Sequence, residues 1–338
     1  MLQLGYKASA EQFSPRDLLA STVLAEEAGF DSVFVSDHLQ PWRHTGGHAP
    51  AALPWLGAAA ASTSRVRLGT SVLTPTLRYH PGVVAQAFAT LGCLAPGRVI
   101  LGVGSGESLN EAPLGLPWPD GKERYARFRE AISLIQALWA GERVTIDGTY
   151  YSARDATIYD RPDTPVPLYV AASGPSATRL AGRVGDGFIC TSGKGRELYT
   201  ETLLPALAEG AAKGGRTLAD LDLMIEMKVS YDPDLDRARQ ATRAWGALAL
   251  TPEEKVGVED PVEMERLADA LPVERTASRW IVSDDPDEHV ERIWSYVEMG
   301  FTHLVFHDPR ADQQAFLERY AEEILPRLRA RERERQEA

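Results

Sequence analysis

A chain of 338 residues with 44% hydrophobic and 25% charged side chains has the composition of a globular protein rather than a disordered or fibrous one. Its 48 acidic against 36 basic residues leave a formal charge of −12, which argues against broad binding to nucleic acid or anionic membrane, since both need a cationic face. Two cysteines, Cys93 and Cys190, stand outside any Cys/His cluster, so neither a metal site nor a disulfide is expected and both read as reduced, buried thiols.

The opening MLQLGYKASAEQ has no basic segment followed by an apolar one, and a cytoplasmic protein is expected. Gln3 to Ala8 is the first strand-like run. Ser14-Pro15 then resembles an N-cap opening a helix over Pro15 to Ala28. Ser32 to Ser36 is the second run. The apolar stretch Ala49 to Ala61 falls short of the roughly 20 residues a membrane helix needs and holds Pro50 and Pro54. Val66 to Leu73, a helix over Pro81 to Leu94, Val99 to Val103 and a helix over Lys122 to Ala140 follow.

Gly148-Thr149-Tyr150-Tyr151 reads as a hairpin turn within 144–166. Pro167 to Ala172, Gly187 to Thr191 and Leu223 to Ser230 are separated by helices over Pro175 to Arg183 and Tyr199 to Lys213. Residues 247–280, rich in Glu, Asp and Pro, read as a helical insertion. A helix over Asp287 to Met299, with Asp285 at its cap, leads into the last run, His303 to His307. Eight strands alternating with helices predict a (β/α)8 barrel. The expected domain is 1–330, with insertions at 144–166 before strand five and at 247–280 before the last β/α unit. The tail 331–338 alternates Arg with Glu and reads as a solvated helix end.

In such a barrel the chemistry sits at the C-terminal ends of the strands. Strand two runs into Asp37-His38, with Trp42 four residues beyond His38. A free imidazole titrates near pH ~6.5, which suits it to taking a proton from a hydroxyl. His38 is therefore a candidate base or a hydrogen-bonded rim residue, and Trp42 a cavity wall or a packing residue. His44 and His48 read as loop residues. After strand four, Gly102-Val103-Gly104-Ser105-Gly106-Glu107 departs from the dinucleotide fingerprint at its sixth position, where Glu107 stands. Its small residues still allow backbone to approach a flat ligand. Glu107 offers a carboxyl for acid-base work or a cap for the next helix. Lys194 follows strand six between glycines, where late barrel loops hold phosphate, while Lys255 and Arg279 taken singly read as solvated charges.

Several longer strings coincide with one family. GYKASAEQF, SDHLQPWRHTGGHAP, LGTSVLTPTLRYHP, LGVGSGESLNE, GDGFICTSGKG and LVFHDP resemble the glucose-6-phosphate dehydrogenases that use coenzyme F420, within the luciferase-like flavin and deazaflavin superfamily. The resemblance covers nearly the whole chain and implies a (β/α)8 barrel, a sugar 6-phosphate substrate and a homodimer. It implies that Asp37, Thr74, Ser105, Gly106, Asn110, Ser173, Gly174, Ser176 and Ala177 hold the deazaflavin and its phosphate-bearing tail. It also implies a cis peptide at Ser71-Val72 against the ring. Thr191, Lys194, Lys255 and Arg279 match the site of the sugar's 6-phosphate, which reverses the reading of the last two as solvated charges. His38 is implied as base at O1, Glu107 as acid serving the ring, Trp42 as a wall and Glu11 as a group orienting the sugar; exchanged roles for His38 and Glu107 stay open. Ser173 stands where relatives often carry glycine. Val256 stands where glucose-6-phosphate enzymes carry histidine, which brings fructose and mannose 6-phosphates into view as other substrates. The same barrel serves an FMN-dependent monooxygenase, and the same rim would serve a non-catalytic deazaflavin carrier. A nicotinamide enzyme on a doubly wound sheet is disfavoured by the broken fingerprint.

Overall fold

The apolar runs become strands in a computed structural model that describes residues 1–337. In chain order they are β1 (Gln3–Ala8), β2 (Ser32–Val35), β3 (Arg67–Thr70), β4 (Val99–Val103), β5 (Val144–Asp147), β6 (Ser152–Ala156), β7 (Leu168–Ala171), β8 (Gly187–Thr191), β9 (Asp222–Tyr231), β10 (Ile281–Ser283) and β11 (His303–His307). Eight of them, β1 to β4, β7 to β9 and β11, form a parallel ring. It closes where β11 pairs with β1, Gln3 opposite His303 through Tyr6 opposite Phe306. Helices lie between successive ring strands, so the fold is a (β/α)8 barrel.

Two short elements stand outside the ring. β5 and β6 make the expected hairpin, with Gly148 N–H bonded to the Tyr151 carbonyl at 3.2 Å. β10 extends the far end of β9, Ile281 beside Val229. It has no counterpart among the expected runs, because three residues are too few to show alternation.

Alternation along the strands layers the lumen. Phe34, Ile100, Tyr169, Ile189, Met224 and Val305 point inward from six strands and pack together. Each such side chain contributes about 2 to 3 kcal/mol by burial. Two residues earlier on β2, β9 and β11 stand Ser32, Asp222 and His303. Ser32 Oγ lies 2.7 Å from His303 Nε2, and His303 Nδ1 lies 2.9 Å from Asp222 Oδ2. This hydroxyl–imidazole–carboxylate chain is closed off from solvent at Ser32, so it braces the barrel bottom rather than meeting a substrate. Two residues later along β9 and β11 stand Glu226 and His307, which with Lys7 and Lys228 form a charged layer under the C-terminal rim.

The helix caps follow local chemistry. Ser14 Oγ accepts from Asp17 N–H at 3.2 Å, and the Asp285 carboxylate accepts from Glu288 N–H at 2.8 Å. The apolar stretch at 49–61 becomes the helix Ala52–Ser62, packed beside Pro15–Glu27 and Pro81–Leu94. Residues 247–280 form short helices around a small core of Ala247, Leu250, Met264, Ala268 and Leu271, with Trp42 against it. The last helix, Leu325–Glu337, runs through the charged tail, where Arg331 pairs with Glu291. Cys190 is buried as expected, but Cys93 is exposed: it lies on a helix face that the barrel does not cover. Among the described residues no helix is long and apolar enough to cross a membrane.

Candidate active site

A cavity of about 570 Å³ opens at the C-terminal rim. Its walls come from the ends of β2, β3, β4, β7 and β8 and from the 242–280 segment. His38, Trp42, Glu11 and Glu107 line it together with Thr191, Lys194, Lys255 and Arg279, so both expected groups share one chamber.

Strand alternation persists past the end of β2 and separates Asp37 from His38. The His38 imidazole faces the cavity with 12% of its surface open. Its Nδ1 lies 3.1 Å from the Gln40 carbonyl. A carbonyl only accepts, so the hydrogen sits on Nδ1 and Nε2 is the nitrogen free to exchange a proton. Nε2 is 3.3 Å from Glu11 Oε1 and 3.8 Å from Glu107 Oε2. Trp42 tilts over the His38 ring at 5.5 Å, and the Lys255 ammonium lies 5.2 Å from the indole centre.

The two carboxyls differ in character. Burial alone would raise the Glu11 carboxyl, but His38, Lys7 and the hydroxyl of Ser36, which donates at 2.5 Å, hold it below the usual carboxylate range. Glu107 leaves 47% of its side chain open, yet desolvation by the surrounding protein still raises its carboxyl above the usual range against the pull of His38 and Lys255, with the charge of Glu11 adding to the rise. Glu107 makes no side-chain cap for the helix Ser108–Glu111, which leaves its carboxyl to the cavity.

Asp37 departs from expectation. It borders the cavity, but its carboxylate is buried against Arg78, at 2.7 Å, and accepts from the Ala52 N–H at 3.0 Å. A carboxylate so committed is not turned toward a ligand, and the same alternation that exposes His38 is the reason. Asn110 spends its side-chain oxygen on the N–H of Leu39, at 2.8 Å, and of Gln40, at 3.3 Å, which fixes the loop carrying His38.

The opposite wall suits a flat ligand. The Ser71–Val72 peptide is cis, as the resemblance implies. A Cβ on Gly104 would fall 2.6 Å from Val72 Cγ2, and Gly106 has φ +87° with Thr74 beside it. Glycine at both places keeps backbone open along this wall. Ser71, Val72, Thr74, Ser105, Gly106, Ser173, Gly174 and Ala177 all line it. Ser176 does not; it lines a second cavity of about 420 Å³ that shares Ser105, Gly174 and Ala177 with the first. Lys122 and Arg124 also line that second cavity. They escaped sequence reading because each sits in an ordinary charged helix start.

The cations at the far end carry no counter-charge. Among the described residues, none of Lys194, Lys255, Arg279 and Lys228 has a carboxylate within ion-pair distance, and Arg279 Nε is buried with no partner. The turn that brings them together needs glycine: Gly193 has φ +77°, and a Cβ there would fall 2.2 Å from the Arg279 carbonyl oxygen. Burial and the charge of Arg279 pull the ammonium of both Lys194 and Lys255 below the ordinary lysine range, although Cys190 supports the first and Glu107 the second. Val256 lies outside this chamber with 79% of its surface exposed. His44 and His48 are exposed loop residues.

Residues 2–303 match the family model described as luciferase-like monooxygenase. An F420-dependent glucose-6-phosphate dehydrogenase of Beutenbergia cavernae is 94% identical over 334 residues, covering 99% of each chain. One from Nakamurella multipartita is 68% identical, covering 97% of each. The solved structure of an F420-dependent secondary alcohol dehydrogenase in complex with an F420-acetone adduct superposes with a TM-score of 0.91 at 33% identity, covering 97% of this chain and 99% of that one.

Proposed function

The chain belongs to the luciferase-like monooxygenase family, and we propose that its rim cavity binds a sugar 6-phosphate beside coenzyme F420, with the roles assigned below. It is an oxidoreductase that transfers hydride from C1 of glucose 6-phosphate to C5 of oxidised F420, giving 6-phosphogluconolactone and reduced F420. The observation that carries the assignment of roles is that the His38–Glu107 pair and a set of cations without counter-charge face one chamber.

F420, when bound, supplies an acceptor for the two electrons and hydrogen leaving C1. The open-backbone wall of Val72, Gly104 and Gly106 fits a planar ring, with Thr74, Ser105, Ser173, Gly174 and Ala177 around it. Asp37 holds that wall's neighbouring loop through Arg78 and the Ala52 N–H, while Asn110 spends its side-chain oxygen on the same loop and keeps its amide nitrogen for a ligand. Ser176, Lys122 and Arg124 bind the anionic tail in the second cavity.

His38 Nε2 takes the O1 proton as the C1–O1 bond becomes a carbonyl. The imidazolium so formed meets the ionised Glu11 at 3.3 Å, which stabilises it. Glu107, whose raised pKa keeps a larger protonated fraction near neutrality, holds a proton for the reduced ring. Trp42 covers His38 and stacks against Lys255, excluding water from O1. Thr191, Lys194, Lys255 and Arg279 bind the 6-phosphate. A homodimer is the assembly the resemblance implies, and light scattering tests it.

Mixing the protein with oxidised F420 and glucose 6-phosphate should bleach the coenzyme's visible absorbance. No bleaching, or bleaching without sugar, would remove this reading. Fructose and mannose 6-phosphates in place of glucose 6-phosphate report the selectivity of the chamber, which Val256 does not enter.

A further inference from the structure

Lys228 is a cavity-lining charge that neither the sequence motifs nor the roles above account for. It lies on β9 in the charged layer beneath the rim, with only 3% of its surface exposed. Lys7 and Glu226 in that layer are matched with each other. Lys7 Nζ pairs with Glu226 Oε2 at 3.0 Å, and Glu226 Oε1 lies 3.4 Å from His307 Nδ1. Glu226 is thereby held well below the usual carboxylate range despite its burial, mainly by Lys7.

Lys228 has no such match. Among the described residues no carboxylate lies within ion-pair distance of it, and its side chain makes one hydrogen bond, from Nζ to the Ser192 carbonyl at 3.2 Å. An ammonium has three donors, so its hydrogen-bonding capacity is not filled. A buried cation in this condition costs several kcal/mol unless an anion or water completes it. Burial draws its pKa down to about 8, Glu226 opposes the fall, and Arg279 and Lys194 add to it. Strand register places Lys228 at the phosphate end of the chamber: Glu226 lies opposite Thr191 of β8 and Val229 opposite Ile281 of β10, so Lys228 stands between the strand carrying Thr191 and the segment carrying Arg279. Its backbone reinforces the placement: Lys228 N–H donates to Ser192 Oγ at 2.8 Å, and Ser192 follows Thr191 directly.

We propose that Lys228 is a further substrate-binding residue, which contacts the phosphate of the sugar phosphate from the cavity floor beneath Thr191, Lys194 and Arg279. The inference rests on the reading of this chamber as a sugar-phosphate site. A phosphate dianion has more acceptor positions than the rim groups need, and a floor donor grips the face that Lys255 and Arg279 do not cover. The contact also accounts for a lysine at a buried position where a methionine of similar length would pack at lower cost.

The test compares wild type with Lys228→Met and Lys228→Gln, each loaded with F420. Steady-state rates are measured with glucose 6-phosphate and with unphosphorylated glucose, and inorganic phosphate serves as competitive inhibitor. Wild-type turnover of glucose 6-phosphate secures the underlying reading independently of the variants, and F420 affinity from fluorescence quenching reports that each variant is folded. The expected result is a rise of roughly 10- to 100-fold in both the KM for glucose 6-phosphate and the Ki for phosphate, the loss of one charge-assisted hydrogen bond. The KM for glucose should not move. A folded variant with unchanged Ki for phosphate overturns the proposal, as does an equal rise in KM for both sugars, which would place Lys228 against the ring. Should the methionine variant not bind F420, the glutamine variant, which keeps hydrogen-bond donors and loses only the charge, carries the same comparison.

Discussion

Glu11 Oε1 lies closer to His38 Nε2 than the nearer oxygen of Glu107 does, 3.3 Å against 3.8 Å. The carboxylate thought to orient the sugar is thus placed to stabilise a charged imidazole. Glu11→Gln should lower kcat by roughly 10- to 100-fold, the value of one charge-assisted contact, with little change in KM. His38→Ala should lose about 10² to 10⁴ in turnover while F420 still binds. Steady-state kinetics with quenching titrations separates the two, and an unimpaired His38→Ala enzyme would dismiss His38 as the base.

Glu107 is the protonated partner in this scheme, so turnover should fall as pH rises through its raised pKa. Glu107→Gln should remove that alkaline limb. If instead wild-type turnover rose with pH and the rise vanished in Glu107→Gln, the roles of the two groups would be exchanged. A pH–rate profile of both proteins decides it.

The phosphate cradle should be read in KM. Lys255→Ala and Arg279→Ala remove contacts present in ground and transition states alike, so each should raise the KM for glucose 6-phosphate with a smaller effect on kcat. Unchanged KM in both would remove the cradle from the substrate site.

Arg43 ties the loop of His38 and Trp42 to the helix Pro261–Asp269. Its guanidinium reaches Asp269 at 2.7 and 3.1 Å and Glu265 at 2.9 Å, and Glu265 also accepts from Thr45 N–H at 2.8 Å. A partly exposed ion pair contributes only about 0 to 1 kcal/mol to stability. Arg43→Ala should therefore melt within a few degrees of wild type yet lose kcat, through a freer Trp42, with partial rescue in Arg43→Lys. Equal loss of stability and activity would make Arg43 structural only.

At the barrel bottom, burial would raise the Asp222 carboxyl, but His303, Tyr169 and Arg67 hold it down at about 2. A depressed folded pKa stabilises above the unfolded value of about 3.9 and loses that contribution as pH falls toward the folded one. The effect is about 2 kcal/mol. Asp222→Asn should be destabilised at pH 7, and the gap to wild type should narrow between about pH 4 and pH 2 in denaturant titrations.

Much of this molecule was legible in the residue string. Strand positions follow from short apolar runs between turn residues, and four of the expected strands, at residues 3–8, 99–103, 187–191 and 303–307, coincide with the observed ones. Caps at Ser14 and Asp285 are local hydrogen bonds and need no tertiary partner. The rim residues after β2, β4 and β8 were visible because barrel chemistry gathers where strands end. The charged floor was not visible: Lys7, Glu226, Lys228 and His307 lie inside strands, where pattern alone gives no reason to set a polar residue apart.

The barrel, the family and the polar rim could be read from the residue string, because they rest on local periodicity and on contiguous motifs. Which side chains meet depends on the closed ring. Asp37 is one residue from His38 yet turns to Arg78, while Glu11 reaches His38 across 27 positions from the neighbouring strand's end. Lys255 and Arg279 read singly as solvated charges, and only the closed ring brings them to the same cavity as Lys194, since Coulomb interactions depend on distance in space rather than along the chain.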